Sequence, residues 1–241
     1  MKYNLKSVNR GSSPKDNIWF SSEAVLKLQK AQKELLWLLN RDYNIHSVIE
    51  LVGNHYQFST RQRNALQRAT SPKTKCRNRL LKCLHPVSAS KDCLYIDGFN
   101  LIITLEVAIS RGIILLCNDG TIRDIAGLRG TYKIIDKTDA VLNIIGKEFS
   151  NLSVPKANFF LDSAVSNSGR LGAFILEHSK EWNIPVEVEL SSKVDSILSK
   201  MPRIVTSDSI ILDSCTSWFN IAKKIIDDYI PSAHIINLTS Y

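Results

Sequence analysis

Leu94-Tyr95-Ile96-Asp97-Gly98-Phe99-Asn100 is a short apolar run that ends in a carboxylate and turns at once through glycine toward a helix. Two later stretches repeat the plan: Asn158-Phe159-Phe160-Leu161-Asp162-Ser163 and Arg203-Ile204-Val205-Thr206-Ser207-Asp208-Ser209. Around them, β-rich runs near 93–96, 157–161, 185–190, 203–206 and 233–237 alternate with helical segments near 100–110, 138–149, 168–181 and 217–229. Asn100 can start the first of these helices, and Thr138, Ser168 and Ser217 are the N-caps expected for the others. The alternation predicts a three-layer, Rossmann-like α/β domain with a parallel sheet and right-handed crossovers. In such a sheet ligands bind outside the carboxyl ends of the strands, so Asp97, Asp162 and Asp208 are expected to converge there.

Ahead of this body, residues 1–90 read as a small basic helical region. They carry 16 Lys and Arg against 5 Asp and Glu, whereas residues 91–241 carry 15 against 18. A basic module beside a carboxylate-bearing one suits a polyanionic substrate. Residues 1–18 lack periodicity and read as a loose arm. Ser21 or Ser22 caps a helix to about Asn40, a second helix starts after Asn44 and stops at Gly53, and Ser59 with Gln62 forms a capping box for a third. The turn between the last two leaves a helix-turn-helix open. Arg61, Arg63, Arg68, Lys73, Lys75, Arg77, Arg79 and Lys82 form a run with no acidic residue among them, able to hold phosphates without reading sequence. His55, Tyr56 and Phe58 either stack on an exposed base or pack the turn against the helices.

Between the first body helix and the next strand, Ile113–Cys117 and Thr121–Asp124 flank Asn118-Asp119-Gly120, a tight-turn signal. This predicts an inserted hairpin near 113–134, followed by the loop Gly127-Leu128-Arg129-Gly130 as a rim of the crevice. The run near 233–237 is expected to complete the sheet.

A trio of strand-end carboxylates suits Mg2+ or Mn2+, which take oxygen ligands. Such a site activates water and neutralises charge growing on a phosphoryl group. Without a cation the carboxylates repel, and at least one can retain its proton. Thr206, Ser207 and Ser209 can hold the carboxylates in place or coordinate water. Asn100 either orients a bound water or phosphate or caps its helix. Glu106 on the following helix is a further ligand or a salt-bridge partner, Asp213 can add a carboxylate, and Asp124 and Asp195 are secondary candidates. Arg170, at a polar helix start, either holds a substrate phosphate or pairs with an acidic neighbour. Cys76, Cys83 and His85, with Cys93 as an uncertain fourth, are an alternative zinc set. Phosphate-loop, dinucleotide, zinc-protease and nucleophile-elbow motifs are absent from the sequence.

At Asp97-Gly98-Phe99-Asn100, Asp162 and Thr206-Ser207-Asp208, residues 91–230 resemble the PIN-like superfamily, in particular its NYN branch. The resemblance implies a compact α/β nuclease fold with acidic residues around magnesium or manganese. Asp97 matches the aspartate of the first strand, Asn100 its polar companion, and Asp162 and Asp208 the later strand-end carboxylates; Asp213 matches less closely. The series Glu50–Tyr56, Arg61–Leu66, Ile96–Asn100 and Ser166–Arg170 also resembles an uncharacterised microbial family along nearly the whole chain.

The expected function is a divalent-metal-dependent ribonuclease or RNA-processing phosphodiesterase, with RNA favoured over DNA. The alternatives are a non-catalytic RNA- or DNA-binding protein on a degenerated nuclease-like fold, or a metal-dependent phosphoryl hydrolase acting on a small substrate. No apolar run long enough to span a membrane occurs. A polar N-terminus and five cysteines without close pairing suggest a cytoplasmic protein with reduced thiols. Homo-oligomerisation is left open.

Overall fold

The computed structural model describes residues 8–127 and 130–239. Its front is helical. After α1 (Asp16–Trp19), α2 (Ser22–Leu39) starts at Ser21, whose hydroxyl accepts from Ala24 N, and buries Leu28, Ala31, Leu35 and Leu39 at helical spacing. Asn44 caps α3 (Ile45–His55), and the Ser59–Gln62 capping box opens α4 (Thr60–Ala69). The basic run continues into α5 (Lys73–Lys82). Gly53 does not stop α3, which runs on to His55. A Cβ there would lie 2.8 Å from the Arg63 guanidinium carbon, so the glycine makes room for a side chain. Phe58 is buried and stacks on Tyr56, whose hydroxyl donates to Glu34; these aromatics pack the turn.

The body follows as β1 (Leu94–Asp97), α6 (Gly98–Ile109), the hairpin β2 (Ile113–Leu116) and β3 (Ile122–Asp124), α7 (Asp136–Asn151), β4 (Ala157–Asp162), α8 (Ser168–Ser179), β5 (Val186–Ser191), α9 (Val194–Leu198), β6 (Ile204–Val205), α10 (Ser209–Ser214), β7 (Trp218–Phe219), α11 (Ile221–Tyr229) and β8 (His234–Asn237). Five strands form a parallel sheet in the order β5-β4-β1-β6-β7, with β1 at its centre. Side chains alternate across it, as strand geometry requires. Leu94, Ile96, Phe159 and Leu161 face the main core under α6, α7, α8 and α11, while Tyr95 and Phe160 face a smaller core under α9 and α10. The expected three-layer α/β architecture with a largely parallel sheet is present.

Ser168 is the first residue of α8 and not its cap, a position that Asn167 takes. Three further local expectations are corrected. The last strand does not complete the parallel sheet. β8 instead pairs with β2, giving a second sheet β3-β2-β8, and its Ile236 joins Ile113, Leu115 and the apolar faces of the front helices in one core. Ser217 does not cap a helix, because Trp218 and Phe219 are drawn into β7. There the Trp218 indole donates to Arg79 O at 2.7 Å, and Trp218 O accepts from Leu84 N at 2.8 Å. Thr138 lies inside α7, where its hydroxyl accepts from Ile135 N and donates to Glu106.

Candidate active site

β1, β4 and β6 are parallel neighbours, so their carboxyl ends open on one edge of the sheet. Asp97 ends β1, half-buried, and is itself the N-cap of α6: its Oδ1 accepts from Asn100 N at 3.2 Å. Its Oδ2 accepts from the Thr206 hydroxyl at 2.9 Å. Asn100 is not the cap of α6, which is Asp97; its side chain latches the first turn of α6 to the segment after β6. Its Oδ1 accepts from Ser207 N at 2.8 Å and from the Ser207 hydroxyl at 3.0 Å. Asp208 donates its N–H to Thr206 Oγ1 and caps α10 through Oδ1, which accepts from Ile210 N at 2.7 Å. Asp162 ends β4 and turns the chain by accepting from Ala164 N at 2.8 Å. Gly98 makes the sharp exit from β1 possible for a packing reason. A Cβ there would stand 2.6 Å from Leu161 Cδ2 and 3.2 Å from the Phe160 carbonyl oxygen.

Electrostatics join these groups. Burial pushes the Asp97 carboxyl up to about 7 against the Thr206 and Asn100 hydrogen bonds, and the charges of Asp208 and Asp195 push the same way. Asp195, early in α9, is itself raised by burial and then by Asp208 and Asp162. Asp97 thus feels Asp195 and Asp208, and Asp195 feels Asp208 and Asp162. Asp195 was only a secondary candidate in the sequence because its neighbours are unremarkable; α9 carries it to the recess. On the far side of Asp162, Thr131 bridges Ser166, and Asn167 Nδ2 donates to Tyr132 O. Residues 130–132 thus border this edge; Leu128 and Arg129 of the expected rim lie outside the described residues.

The donors at the recess are all oxygen: the four carboxylates, Asn100, Thr206 and Ser207. That chemistry suits magnesium or manganese and not a thiolate or imidazole metal. Among the described residues, however, no group of three or more His, Cys, Asp or Glu is spaced to hold a metal ion, and this also removes the zinc set at Cys76, Cys83 and His85. Magnesium is commonly held by one or two carboxylates, its shell completed by water and substrate phosphate. Among the described residues this edge offers no closed protein cage for an ion.

Residues 86–224 match the family described as Domain of unknown function (DUF5616), and residues 27–82 match one described as Protein of unknown function (DUF434). The first match covers more than half of the chain. This chain belongs to the DUF5616 family. It is also 33% identical to an uncharacterized protein of Methanocaldococcus jannaschii over 191 residues, which are 78% of this chain and 90% of that protein. No solved structure matches the chain. All four recess carboxylates lie in the DUF5616 segment, and all eight residues of the basic run lie in the other.

Three further candidate carboxylates have partners of their own. Glu106 is buried in the core, 2.8 Å from Arg10 Nε, and accepts from the Tyr132 hydroxyl and from Thr138. Burial raises its carboxyl to about 6 against those three partners. Asp213, at the end of α10, receives Arg79 at 2.6 Å and Lys75 at 2.7 Å. Asp124 accepts from Thr104 and Ala126 N. None of these contacts reaches the recess.

The basic run is not a free phosphate-binding face. Arg61 grips Asp16 with two nitrogens, at 2.6 and 2.9 Å, and also donates to the carbonyls of Gly11 and Ile125. Arg63 donates to Phe58 O and Asn54, and Lys82 to the carbonyls of Leu212 and Asp213. Arg79 is buried between Asp119, Asp213 and Ser71. Lys75 reaches Asp213, and Arg68 lies 4.0 Å from Asp124. The side chains of Lys73, Arg77 and Arg170 make no ion pair or hydrogen bond among the described residues. No helix there is long and apolar enough to cross a membrane, and all five cysteines are free.

Proposed function

We propose that this protein is a divalent-cation-assisted phosphoryl hydrolase that acts on a small phosphorylated substrate at the recess of Asp97, Asp162, Asp195 and Asp208. The observation that carries the reading is the arrival of Asp97, Asp162 and Asp208 at the carboxyl ends of three neighbouring parallel strands, where burial first, and then the charges of Asp208 and Asp195, push Asp97 up to about 7. A divalent cation held by Asp97 and Asp208 would relieve that repulsion, polarise a phosphoryl oxygen and lower the pKa of a water. The chain's own residues do the rest. Thr206 and the amide of Asn100 fix both oxygens of Asp97, and the Asn100–Ser207 latch holds the end of β6 beside it. Asp195, exposed and raised, is the base that takes the proton from the attacking water. The PIN-like resemblance at Asp97, Asn100, Asp162 and Asp208 agrees with an acidic hydrolytic site. A small substrate is favoured over long RNA because six of the eight basic residues of the run are engaged internally.

Phosphate release from a panel of phosphate monoesters and diesters, with magnesium or manganese, tests the proposal. Turnover by the wild type and a loss of at least 100-fold in D97N are expected. Equal rates for the two proteins, or no turnover across the panel, would overturn it. Cleavage of an RNA pool in preference to every small ester would return the reading to a ribonuclease.

One observation favours a second reading, a non-catalytic nucleic-acid-binding protein on this fold: no three acidic or metal-ligating side chains are spaced around an ion. Binding of RNA or duplex DNA, with no hydrolysis and no effect of D97N, is its signature.

A further inference from the structure

A cleft of about 520 Å³ lies where the front helices meet the body, lined from one side by Tyr43, Arg68, Thr70 and Lys75 and from the other by Ser207 and Asp208. Its volume is that of an ordinary small-ligand site. Asp208 belongs to both places: it lines the cleft, and its charge helps to raise Asp97. Asp208 is thus shared between the cleft and the carboxylate edge of the sheet.

Its lining has the parts of a recognition site. Tyr43 presents its ring to solvent, 57% exposed, with no aromatic or cationic partner among the described residues. The nearby cations are partly exposed although each has an acidic neighbour, which for Lys75 is Asp213, itself in the cleft lining. Arg68 is 44% exposed and touches Asp124 only at 4.0 Å, and Lys75 is 55% exposed with a single acidic partner. Thr70 is 4% exposed, and its hydroxyl is buried without a hydrogen-bond partner. A buried hydroxyl left unmatched in a polar cleft is rare enough to need an explanation, and a bound polar ligand supplies one.

We infer that this cleft binds a nucleoside phosphate, with the base on Tyr43, the phosphate between Arg68 and Lys75, and the Thr70 hydroxyl satisfied by the ligand. The inference rests on the hydrolase reading above and names its substrate class. An aromatic ring offers a face that any base can stack on, and cations beside it can hold a phosphate.

Calorimetric titration of the four 5′-ribonucleoside monophosphates, of inorganic phosphate and of a short oligoribonucleotide tests this. At least one monophosphate is expected to bind more tightly than inorganic phosphate. Tyr43→Ala and Arg68→Ala should each weaken it about tenfold, and Tyr43→Phe should restore it. Both sites are exposed, and unchanged melting temperatures would show that the variants are folded. Monophosphate binding that ignores both substitutions would overturn the inference, as would an oligonucleotide at least tenfold tighter than its monomers. The two proposals fail separately. Ester hydrolysis without nucleotide binding removes the cleft and leaves the hydrolase. Binding lost in Tyr43→Ala, with turnover absent or unaffected by D97N, keeps the cleft and removes the hydrolase.

Discussion

Arg79 Nη1 and Asp119 Oδ2 meet at 2.6 Å with both side chains withdrawn from solvent, 2% and 0% exposed. Arg123 shares the same carboxylate at 2.6 Å, and Asp213 takes the other side of Arg79. The network ties α5, the β2–β3 hairpin and α10 together. Burial alone would raise the Asp119 carboxyl, but Arg123, Thr121 and Arg79 outweigh it and hold Asp119 down at about 2.

Removing one partner of a buried pair leaves an uncompensated charge, which typically costs about 3–5 kcal/mol. Arg79→Met is expected to lower unfolding free energy by about that amount in urea melts. Arg77→Ala, two residues away and without a partner, should stay within about 0.5 kcal/mol of wild type. Equal effects of the two would contradict the buried network.

The pH dependence of the recess has a definite sign. Asp97 titrates at about 7 in the fold against 3.8 for the ordinary group. A raised carboxyl gives stability that is full below about pH 4 and is lost as pH rises through 7. D97N removes that loss, so it should be more stable than wild type at pH 8, by up to about 4 kcal/mol, and indistinguishable from it near pH 4. Thermal melts across pH 4–8 measure the difference.

Cation linkage provides a separate check. Millimolar magnesium or manganese at pH 8 should raise the wild-type melting temperature and leave D97N nearly unchanged, because a ligand stabilises only the state that binds it. Chelation with EDTA should abolish the gain. Identical shifts in both proteins would mean that the cation acts elsewhere.

Gly146 in α7 is set by a neighbour. A Cβ there would lie 2.3 Å from both Cδ1 and Nε1 of Trp182. Alanine gains about 1 kcal/mol in helix propensity, yet overpacking is expected to dominate and destabilise G146A by about 1–3 kcal/mol. Trp182→Leu in the same chain should recover part of that loss, as read from denaturant midpoints.

Strand and helix order was legible in the sequence wherever a segment's own pattern decides its state. The runs at 94–97 and 157–162 alternate inward and outward, and Ser59–Gln62 announces α4 through a hydrogen-bond pair local in sequence. The carboxylate positions after β1, β4 and β6 could be read for the same reason: parallel strands bring their carboxyl ends to one edge. Three things were decided only by tertiary contact. Trp218 and Phe219 became strand because the chain after Arg79 offers them hydrogen bonds, and β8 left the parallel sheet because the front helices needed a partner surface. The basic run became largely structural because acidic and carbonyl groups distant in sequence, at Asp16, Asp119, Leu212 and Asp213, meet it. A charge in a sequence carries no record of its partner. Whether it faces solvent or a buried carboxylate depends on which distant segment the fold places beside it.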